Sequence, residues 1–522
     1  MTKRILSLAK LFENTGAVPV RASRNTVFGI STDSRCVQKD FLFLCVRGLH
    51  HDGHDYVSEA VQNGASVVLA ERADIALPAD TDLWICPDTH TAETMVYDSF
   101  YDHPAAGMTA IAVTGSNGKT STAYLLRAIL SAAGEKTGAV TTIGAYAGRE
   151  RIVCANGGTS LADGVGAMTT PDPAVFYAIL AQMRDKGCTH LVYEASSHAL
   201  DLRKTDAVRP EIAIFTGLDR EHLDYHGTVS RYFAAKSHLF DLLSPHGTRT
   251  GIVNAEDPHI AELIAAHPEV LFCTCSAEEN RISSSDVTGL HFEDTARGSS
   301  FLYYSDDAIF RVRMPLHGRY SMYNAMYAAA AALRLGVHPM EICDSLAAME
   351  PIPGRLERVP TGTPYTVYID YAHTPRAMEE TLQTLRRLCP SRLTAVFGCG
   401  GDRDPEKRPR MGKIAADAAD RVVLTNDNPR TEDPDRILSE IASGITEKAA
   451  YTVIPARAEA IDYAIQTAVP GEIIAFLGKG HEKYEWIGNE KRPFDEKETI
   501  LEAVERYRKE PHGERHDIRG DL

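Results

Sequence analysis

The chain has 522 residues, 44% of them hydrophobic and 24% charged, and carries a formal net charge of −16. That length predicts two to four domains with ample material for several cores, and the apolar fraction is that of a globular protein. The acidic balance argues against a general nucleic-acid or membrane-surface binder, and no apolar run approaches the roughly 18 residues of a membrane span.

The N-terminus starts basic, but Lys10 and Glu13 interrupt it before a signal-peptide core develops. Residues 1–103 read as a small α/β unit. Asp40–Val46 has the apolar, β-rich character of a strand, and a helix over Val57–Asn63 and a strand over Ser66–Leu69 follow. Between them, His50-His51-Asp52-Gly53-His54-Asp55 matches no standard metal-ligand spacing, so a turn with solvated histidines is expected there. Tyr101-Asp102-His103-Pro104-Ala105-Ala106-Gly107 has the composition of a linker.

Residues 104–350 alternate strands and helices, the pattern of a mostly parallel sheet covered on both faces. The apolar run Ile111-Ala112-Val113 ends in Thr114-Gly115-Ser116-Asn117-Gly118-Lys119-Thr120-Ser121, and Ala123–Leu130 then has helical spacing. A glycine-rich turn between a strand and a helix cradles phosphates with backbone N–H groups and the positive end of the helix dipole. Lys119 would reach the β- and γ-phosphates, and the Thr120 hydroxyl would ligate Mg²⁺. This is the short TGxxGKT form, because Val113 stands where the longer loop has glycine. Glu194 ends the apolar strand His190–Tyr193, and His222 follows the strand Ile212–Thr216. Ligands of such sheets sit beyond the carboxyl ends of the strands, so both are candidates to converge on the loop. Lys236, inside an apolar helical pattern, is expected to snorkel to solvent. Residues 272–314 read as hairpins, and Arg319–Leu335 as an alanine-rich helix.

Pro351-Ile352-Pro353-Gly354-Arg355 marks a second linker. A third α/β unit over 351–522 has strands at Thr366–Asp370, Leu393–Phe397, Arg421–Leu424 and Ile473–Leu477, each followed by a loop of charged and small residues, the signature of a binding face. The polar tail after about residue 508 is expected to fray. The ten cysteines are scattered with no CxxC, Cys273 and Cys275 being the nearest pair, which predicts reduced thiols in a cytoplasmic protein and no structural zinc site.

The segments TGSNGKTST, EASSHAL, EHLDYHGT, YNAMYAAAAA, PGRLERV, DYAHTP, FGCGGDRD, DNPRTEDP and GKGHEKYE occur in the order seen in Mur ligases, and nearly the whole chain resembles that family. The resemblance implies three domains: a small N-terminal α/β uridine-binding domain, a central P-loop-type ATPase domain with a mostly parallel sheet, and a C-terminal Rossmann-like α/β domain. It implies ATP-dependent amide synthesis on UDP-N-acetylmuramoyl-L-alanyl-D-glutamate through an acyl phosphate, with meso-diaminopimelate as the incoming amine and a monomer as the working unit. By family pattern, Gly115, Ser116, Asn117, Gly118, Lys119, Thr120, Ser121, Asn324, Arg355 and Asp370 contact ATP. Thr120 and Glu194 hold one Mg²⁺, and Glu194, His222 and a carbamylated Lys236 (N6-carboxylysine) hold a second. Lys119, Lys236 and His222 are the implied catalytic residues. Ser34, Leu49, His50 and His51 match the contacts to the UDP end, and Thr169, Thr170, Ser196 and Lys204 those to the sugar–peptide part. Leu202 and Lys204 stand where the family often has a polar residue and then arginine, so this chain lacks the bidentate fork, and Ser321 replaces a common asparagine.

Arg403, Asp427, Asn428, Pro429, Arg430, Gly478 and Glu482 match the amino-acid site. DNPR is the diaminopimelate form: Arg430 would pair with the distal carboxylate that lysine lacks, and Glu482 would take the distal ammonium. Other readings are the same ligase acting on L-lysine or another diamino acid, a folylpolyglutamate- or cyanophycin-type substrate, and a nucleotide-binding paralogue without turnover. The uridine unit and DNPR argue against the second, and retention of Lys119, Glu194, His222 and Lys236 argues against the third.

Overall fold

The computed structural model describes residues 5–48, 51–153, 155–156, 159–160, 169–389, 391–446 and 450–509. The chain divides into two compact units: Met1–Ser276 with Arg281–Val287 and Asn324–Ile342, and Ala277–Asn280 with Thr288–Tyr323 and Cys343–Leu522.

The first unit begins with a five-stranded sheet of β1 (Val18–Arg21), β2 (Gly29–Ser31), β3 (Phe41–Leu44), β4 (Ala65–Ala70) and β5 (Asp82–Ile85), in the order β1-β5-β4-β3-β2. Only β1 runs antiparallel to its neighbour. Helix α1 (Thr89–Phe100) follows, capped by Asp88, whose carboxylate accepts from the N–H groups of His90 and Thr91.

The larger sheet of this unit is built from β6 (Thr109–Thr114), β7 (Thr137–Thr141), β8 (Gly144–Ala147), β9 (His190–Glu194), β10 (Ile212–Phe215), β11 (Thr250–Asn254) and β12 (Leu271–Ser276). They lie in the order β8-β7-β9-β6-β10-β11-β12, parallel except for β8. Strands buried on both faces read as continuous apolar runs rather than alternating ones, and Ala110–Val113, Leu191–Tyr193 and Ile212–Phe215 do so. The covering helices include α2 (Lys119–Ala132), α3 (Pro173–Asp185), α4 (Ser197–Asp201) and α5 (Val229–Asp241). Leu125, Leu126, Ile129 and Leu130 form the buried face of α2, a spacing that requires a helix. Helix α6 (Arg319–Arg334) carries Asn324 into this unit.

In the second unit β13 (Gly298–Ser305) and β14 (Ile309–Met314) pair antiparallel, as the hairpin reading of 272–314 expects, whereas residues 272–276 lie in β12, which pairs parallel with β11. A six-stranded sheet follows, made of β15 (Glu357–Val359), β16 (Thr366–Asp370), β17 (Leu393–Phe397), β18 (Arg421–Leu424), β19 (Tyr451–Val453) and β20 (Ile473–Leu477). Its order is β15-β16-β20-β17-β18-β19, with β15 alone antiparallel. Helices α7 (Pro375–Leu388), α8 (Lys407–Ala418), α9 (Pro434–Ala442) and α10 (Arg457–Gln466) connect these strands. The hairpin β21 (Tyr484–Ile487)–β22 (Glu490–Pro493) and helix α11 (Glu496–Lys509) complete the unit. No helix among the described residues is long and apolar enough to cross a membrane. The expected frayed tail falls almost wholly outside the described residues.

Candidate active site

The phosphate loop leaves β6 at its carboxyl end and enters α2 at Lys119. Gly118 has φ 85°, a left-handed conformation, and a Cβ there would stand 2.5 Å from Asn324 Oδ1. Asn324 is thus placed against the loop, and its Oδ1 also accepts from the Thr122 hydroxyl at 3.3 Å. The loop is held from β10: Ser116 N–H donates to Gly217 O at 2.9 Å, the Thr216 hydroxyl donates to Asn117 O, and Asn117 Nδ2 donates to Asp219 Oδ2 at 2.8 Å. The Ser116 hydroxyl lies 2.9 Å from that of Tyr232.

Two lysines meet beneath this loop. Lys119 Nζ donates to Gly115 O and Ser116 O, each at 2.8 Å, and Lys236 Nζ donates to the same Gly115 O at 2.8 Å. Lys236 does not snorkel. Its face of α5 packs on the sheet, the side chain is 1% exposed, and its ammonium lies 4.6 Å from the centre of the Tyr232 ring. Burial, and next the Lys119 charge, hold its pKa well below the ordinary lysine value, against a smaller opposing pull from Glu221. A shift in this direction favours the neutral, nucleophilic form of the amine.

Glu194 ends β9 fully buried, and both its oxygens are held by one residue after β7. Thr142 N–H donates to Oε1 at 2.8 Å and the Thr142 hydroxyl to Oε2 at 3.0 Å, while Thr120 Oγ1 lies 3.5 Å from Thr142 Oγ1. Thr120 and Glu194 are therefore joined through Thr142, which the sequence reading did not single out. His222 sits at φ 54°, and its ring lies 4.9 Å from that of His198 and 6.0 Å from that of Tyr232. Among the described residues, no three His, Cys, Asp or Glu side chains form a ready-made metal cage. A hydroxyl and a buried carboxylate beside a phosphate loop nonetheless suit Mg²⁺, which takes few protein oxygens and completes its shell with water and phosphate.

The remaining first-unit candidates lie in two places. The Thr170 hydroxyl donates to Glu194 O at 2.8 Å and accepts from Ser196 N–H at 3.0 Å, and Ser196 caps α4. Thr169 is half-buried beside it. Lys204 Nζ pairs with Asp172 at 2.6 Å and lies in the field of Glu93, whose burial, together with Asp172, pushes its pKa up to about 8. At the second place, the Ser34 hydroxyl donates to Glu59 at 2.6 Å, and His51 Nδ1 lies 3.0 Å from the Tyr56 hydroxyl. Leu49 and His50 fall outside the described residues. The expectation of solvated histidines fails at His54, which is buried: Asp52 takes one ring nitrogen at 2.5 Å and Glu71 N–H donates to the other at 3.0 Å.

In the second unit, Arg355 lies over the Tyr371 ring at 4.8 Å and its charge offsets the burial that raises the Asp370 pKa. Asp370 accepts from the N–H groups of Leu356 at 2.5 Å and Ala372 at 2.9 Å. The amino-acid candidates gather beyond the carboxyl ends of β17, β18 and β20. Asn428 Nδ2 donates to Glu482 at 2.8 Å, and its Oδ1 accepts from Lys479 Nζ at 3.1 Å and Trp486 N–H at 2.9 Å. Gly478 has φ 107°, and a Cβ there would overlap the Asp427 carboxylate. Burial, and then Asp427, raise the Glu482 pKa. Arg430 is half-buried and donates to Gly401 O, with Pro429 buried next to it. Arg403 lies in the field of Arg430 and donates to Asp402 O at 3.0 Å.

Two fully buried arginines set these loops. Arg408 pairs with Glu432 at 2.8 Å and Glu440 at 2.6 Å, and Glu432 also accepts from Asp402 N–H at 2.5 Å. Arg457 pairs with Glu496 at 2.6 Å and donates to Asn426 O and Leu477 O, tying the ends of β18 and β20 together.

Family models describe these regions one after another: Mur ligase family, catalytic domain, over 26–101; Mur ligase middle domain over 113–332; and Mur ligase, glutamate ligase domain, over 354–480. The UDP-N-acetylmuramoyl-L-alanyl-D-glutamate–2,6-diaminopimelate ligase of Syntrophomonas wolfei is 38% identical over 92% of this chain and 94% of its own length. The chain belongs to the Mur ligase family. Its counterpart in Geobacillus kaustophilus is 36% identical over 92% of this chain and 95% of its own. A solved Mur ligase structure, described as UDP-N-acetylmuramoyl-L-alanyl-D-glutamate–2,6-diaminopimelate ligase, superposes with a TM-score of 0.67 at 29% identity, covering 97% of this chain and 100% of that one. The three-domain α/β architecture of the Mur ligases is therefore that of this protein.

Proposed function

We propose that this Mur ligase is an ATP-dependent amide ligase that joins meso-diaminopimelate to the γ-carboxylate of D-glutamate in UDP-N-acetylmuramoyl-L-alanyl-D-glutamate. The reading rests above all on the amino-acid loops, where Asn428 bonds Glu482 and Arg430 lies partly buried beside Asp427, a paired set of charges suited to a zwitterion with a further carboxylate. Residues 1–103 hold the uridine end, 104–350 hold ATP and 351–522 hold the amino acid. The working unit is a single chain, acting in the cytoplasm on a nucleotide-linked precursor.

A carboxylate is a poor acyl donor, so it is first activated. The γ-carboxylate oxygen attacks the γ-phosphorus of ATP, and ADP leaves. The free amine of diaminopimelate then adds to the acyl phosphate carbonyl, and the tetrahedral adduct expels phosphate and loses a proton. Lys119 exchanges its bonds to Gly115 O and Ser116 O for the transferring phosphate oxygens. Asn324 and the N-terminus of α2 fix the phosphates, and Arg355 and Asp370 contact the nucleotide. Thr170, Ser196 and Lys204 hold the acceptor peptide, and Ser34, Leu49, His50 and His51 hold its UDP end.

Thr120 and Glu194 would hold one Mg²⁺, and Glu194, His222 and Lys236 a second, supplying neutralisation of phosphate charge. The depressed basicity of Lys236 supports its carbamylation, because the neutral amine is the form that adds CO₂. The experiment is ADP formation with ATP, Mg²⁺, UDP-N-acetylmuramoyl-L-alanyl-D-glutamate and meso-diaminopimelate, each omitted in turn. Turnover that needs all of them supports the reading, and turnover that ignores the muramoyl dipeptide overturns it.

A further inference from the structure

Arg430 is anchored to the β21–β22 hairpin along its backbone. Its N–H donates to Trp486 O at 2.9 Å, and its carbonyl accepts from Gly488 N–H at 2.7 Å. Arg430 itself has φ 51°, a left-handed conformation that these two bonds hold in place. Its guanidinium carbon lies 5.2 Å from the centre of the Trp486 ring, and one terminal nitrogen donates to Gly401 O. Nε is buried and has no hydrogen-bond partner among the described residues, so a donor of this guanidinium waits unpaired. The Trp486 ring also stands 5.0 Å from Lys491 Nζ, its cross-strand partner on β22.

We infer that Trp486 is a positioning residue that sets the discrimination between diamino acids with and without a distal carboxylate. The inference rests on the amino-acid site proposed above. An arginine presents five donors in a rigid plane, and a carboxylate is bound best when it meets two of them edge-on. Gly401 O fixes one corner of that plane, and the indole fixes its tilt, because a cation–π contact holds a guanidinium at the face of the ring. Together they hold the guanidinium plane in the one orientation a bidentate partner requires. The contacts of Trp486 to Asn428 and to the Arg430 backbone are made by main-chain atoms, so replacing the side chain removes the ring and leaves those bonds intact. Lysine offers no carboxylate to this fork, and its use does not depend on the indole.

The test compares wild type, Trp486→Ala and Trp486→Phe in steady-state turnover with meso-diaminopimelate and with L-lysine at saturating ATP and muramoyl dipeptide. Trp486→Ala is expected to raise KM for diaminopimelate about tenfold, with kcat within about twofold and KM for L-lysine unchanged. Trp486→Phe, which keeps an aromatic face, is expected to stay within about threefold of wild type. Equal increases in both KM values, or none in either, overturn the inference, since a merely structural hairpin would not tell the two substrates apart. A wild type inactive with every diamino acid overturns the functional reading itself, whereas active wild type with an indifferent Trp486→Ala overturns only the role of the indole. Fluorescence gives a readout independent of turnover. The chain has 2 tryptophans, so Trp84→Phe leaves Trp486 as the sole indole. Its emission is expected to change saturably with diaminopimelate in the presence of the muramoyl dipeptide and a non-hydrolysable ATP analogue, and a flat titration contradicts the placement.

Discussion

Replacing Thr142 with valine tests whether the buried Glu194 carboxylate is set for a metal. Valine matches threonine in shape, so the substitution deletes one hydroxyl, the donor to Glu194 Oε2 at 3.0 Å, and keeps the N–H that bonds Oε1 at 2.8 Å. A hydrogen bond to a charged group is worth about 1.5–3 kcal/mol, and Glu194 has no exposure to water with which to replace it. If that energy orients the carboxylate toward a cation beside Thr120, its loss weakens Mg²⁺ binding by about 10–150-fold, in line with the roughly 10–100-fold effects of removing partners of metal ligands. The assay is phosphate release against free Mg²⁺ at fixed ATP, read as the concentration giving half-maximal rate. KM for diaminopimelate, whose proposed site lies on other loops, is expected to stay within about twofold. An unchanged Mg²⁺ midpoint in a folded Thr142→Val protein refutes the reasoning.

Three further outcomes follow from buried charge. The Glu93 carboxyl, raised to about 8 by burial and Asp172, stays protonated in the folded chain while the unfolded chain has already ionised near 4.5. Stability therefore falls as pH rises from about 4.5 to about 8, by at most about 5 kcal/mol. Glu93→Gln is expected to raise Tm at pH 8.5 and to change little at pH 5, and equal Tm differences at both pH values would contradict this. Arg408→Met leaves Glu432 without its cation and Glu440 with only Arg436, at 2.9 Å; because those carboxylates remain about a quarter exposed, a loss near the lower end of about 3–5 kcal/mol is expected in denaturant unfolding. A carbamate on Lys236 requires that activity decline in carbonate-free buffer and return with bicarbonate, while a bicarbonate-indifferent enzyme would argue for an unmodified amine.

The parts of the site carried by local chemistry were legible in the sequence. An apolar run, a glycine turn and an amphipathic stretch determine β6, the phosphate loop and α2, because each is set by residues adjacent in the chain. The loops after β17, β18 and β20 were visible for the same reason. Thr142 was not, because its role exists only once β7 lies beside β9 and brings residue 142 to Glu194. Lys236 looked like a snorkelling lysine because helical spacing gives a face but not what covers it, and here the phosphate loop covers it. His54 is buried through partners 2 and 17 residues away, of which only the nearer is visible in a local pattern. The hairpin that carries Trp486 has a local signal in Gly488-Asn489, which separates the aromatic run Tyr484–Ile487 from the charged run Glu490–Pro493.

The central claim is tested most directly by offering equimolar meso-diaminopimelate and L-lysine to the enzyme with ATP, Mg²⁺ and UDP-N-acetylmuramoyl-L-alanyl-D-glutamate, and weighing the products by mass spectrometry. The predicted result is a single amide product carrying diaminopimelate, formed one-for-one with ADP and phosphate. A product carrying lysine in comparable amount contradicts the role given to Arg430, and ADP formed with no amide product contradicts the ligase itself.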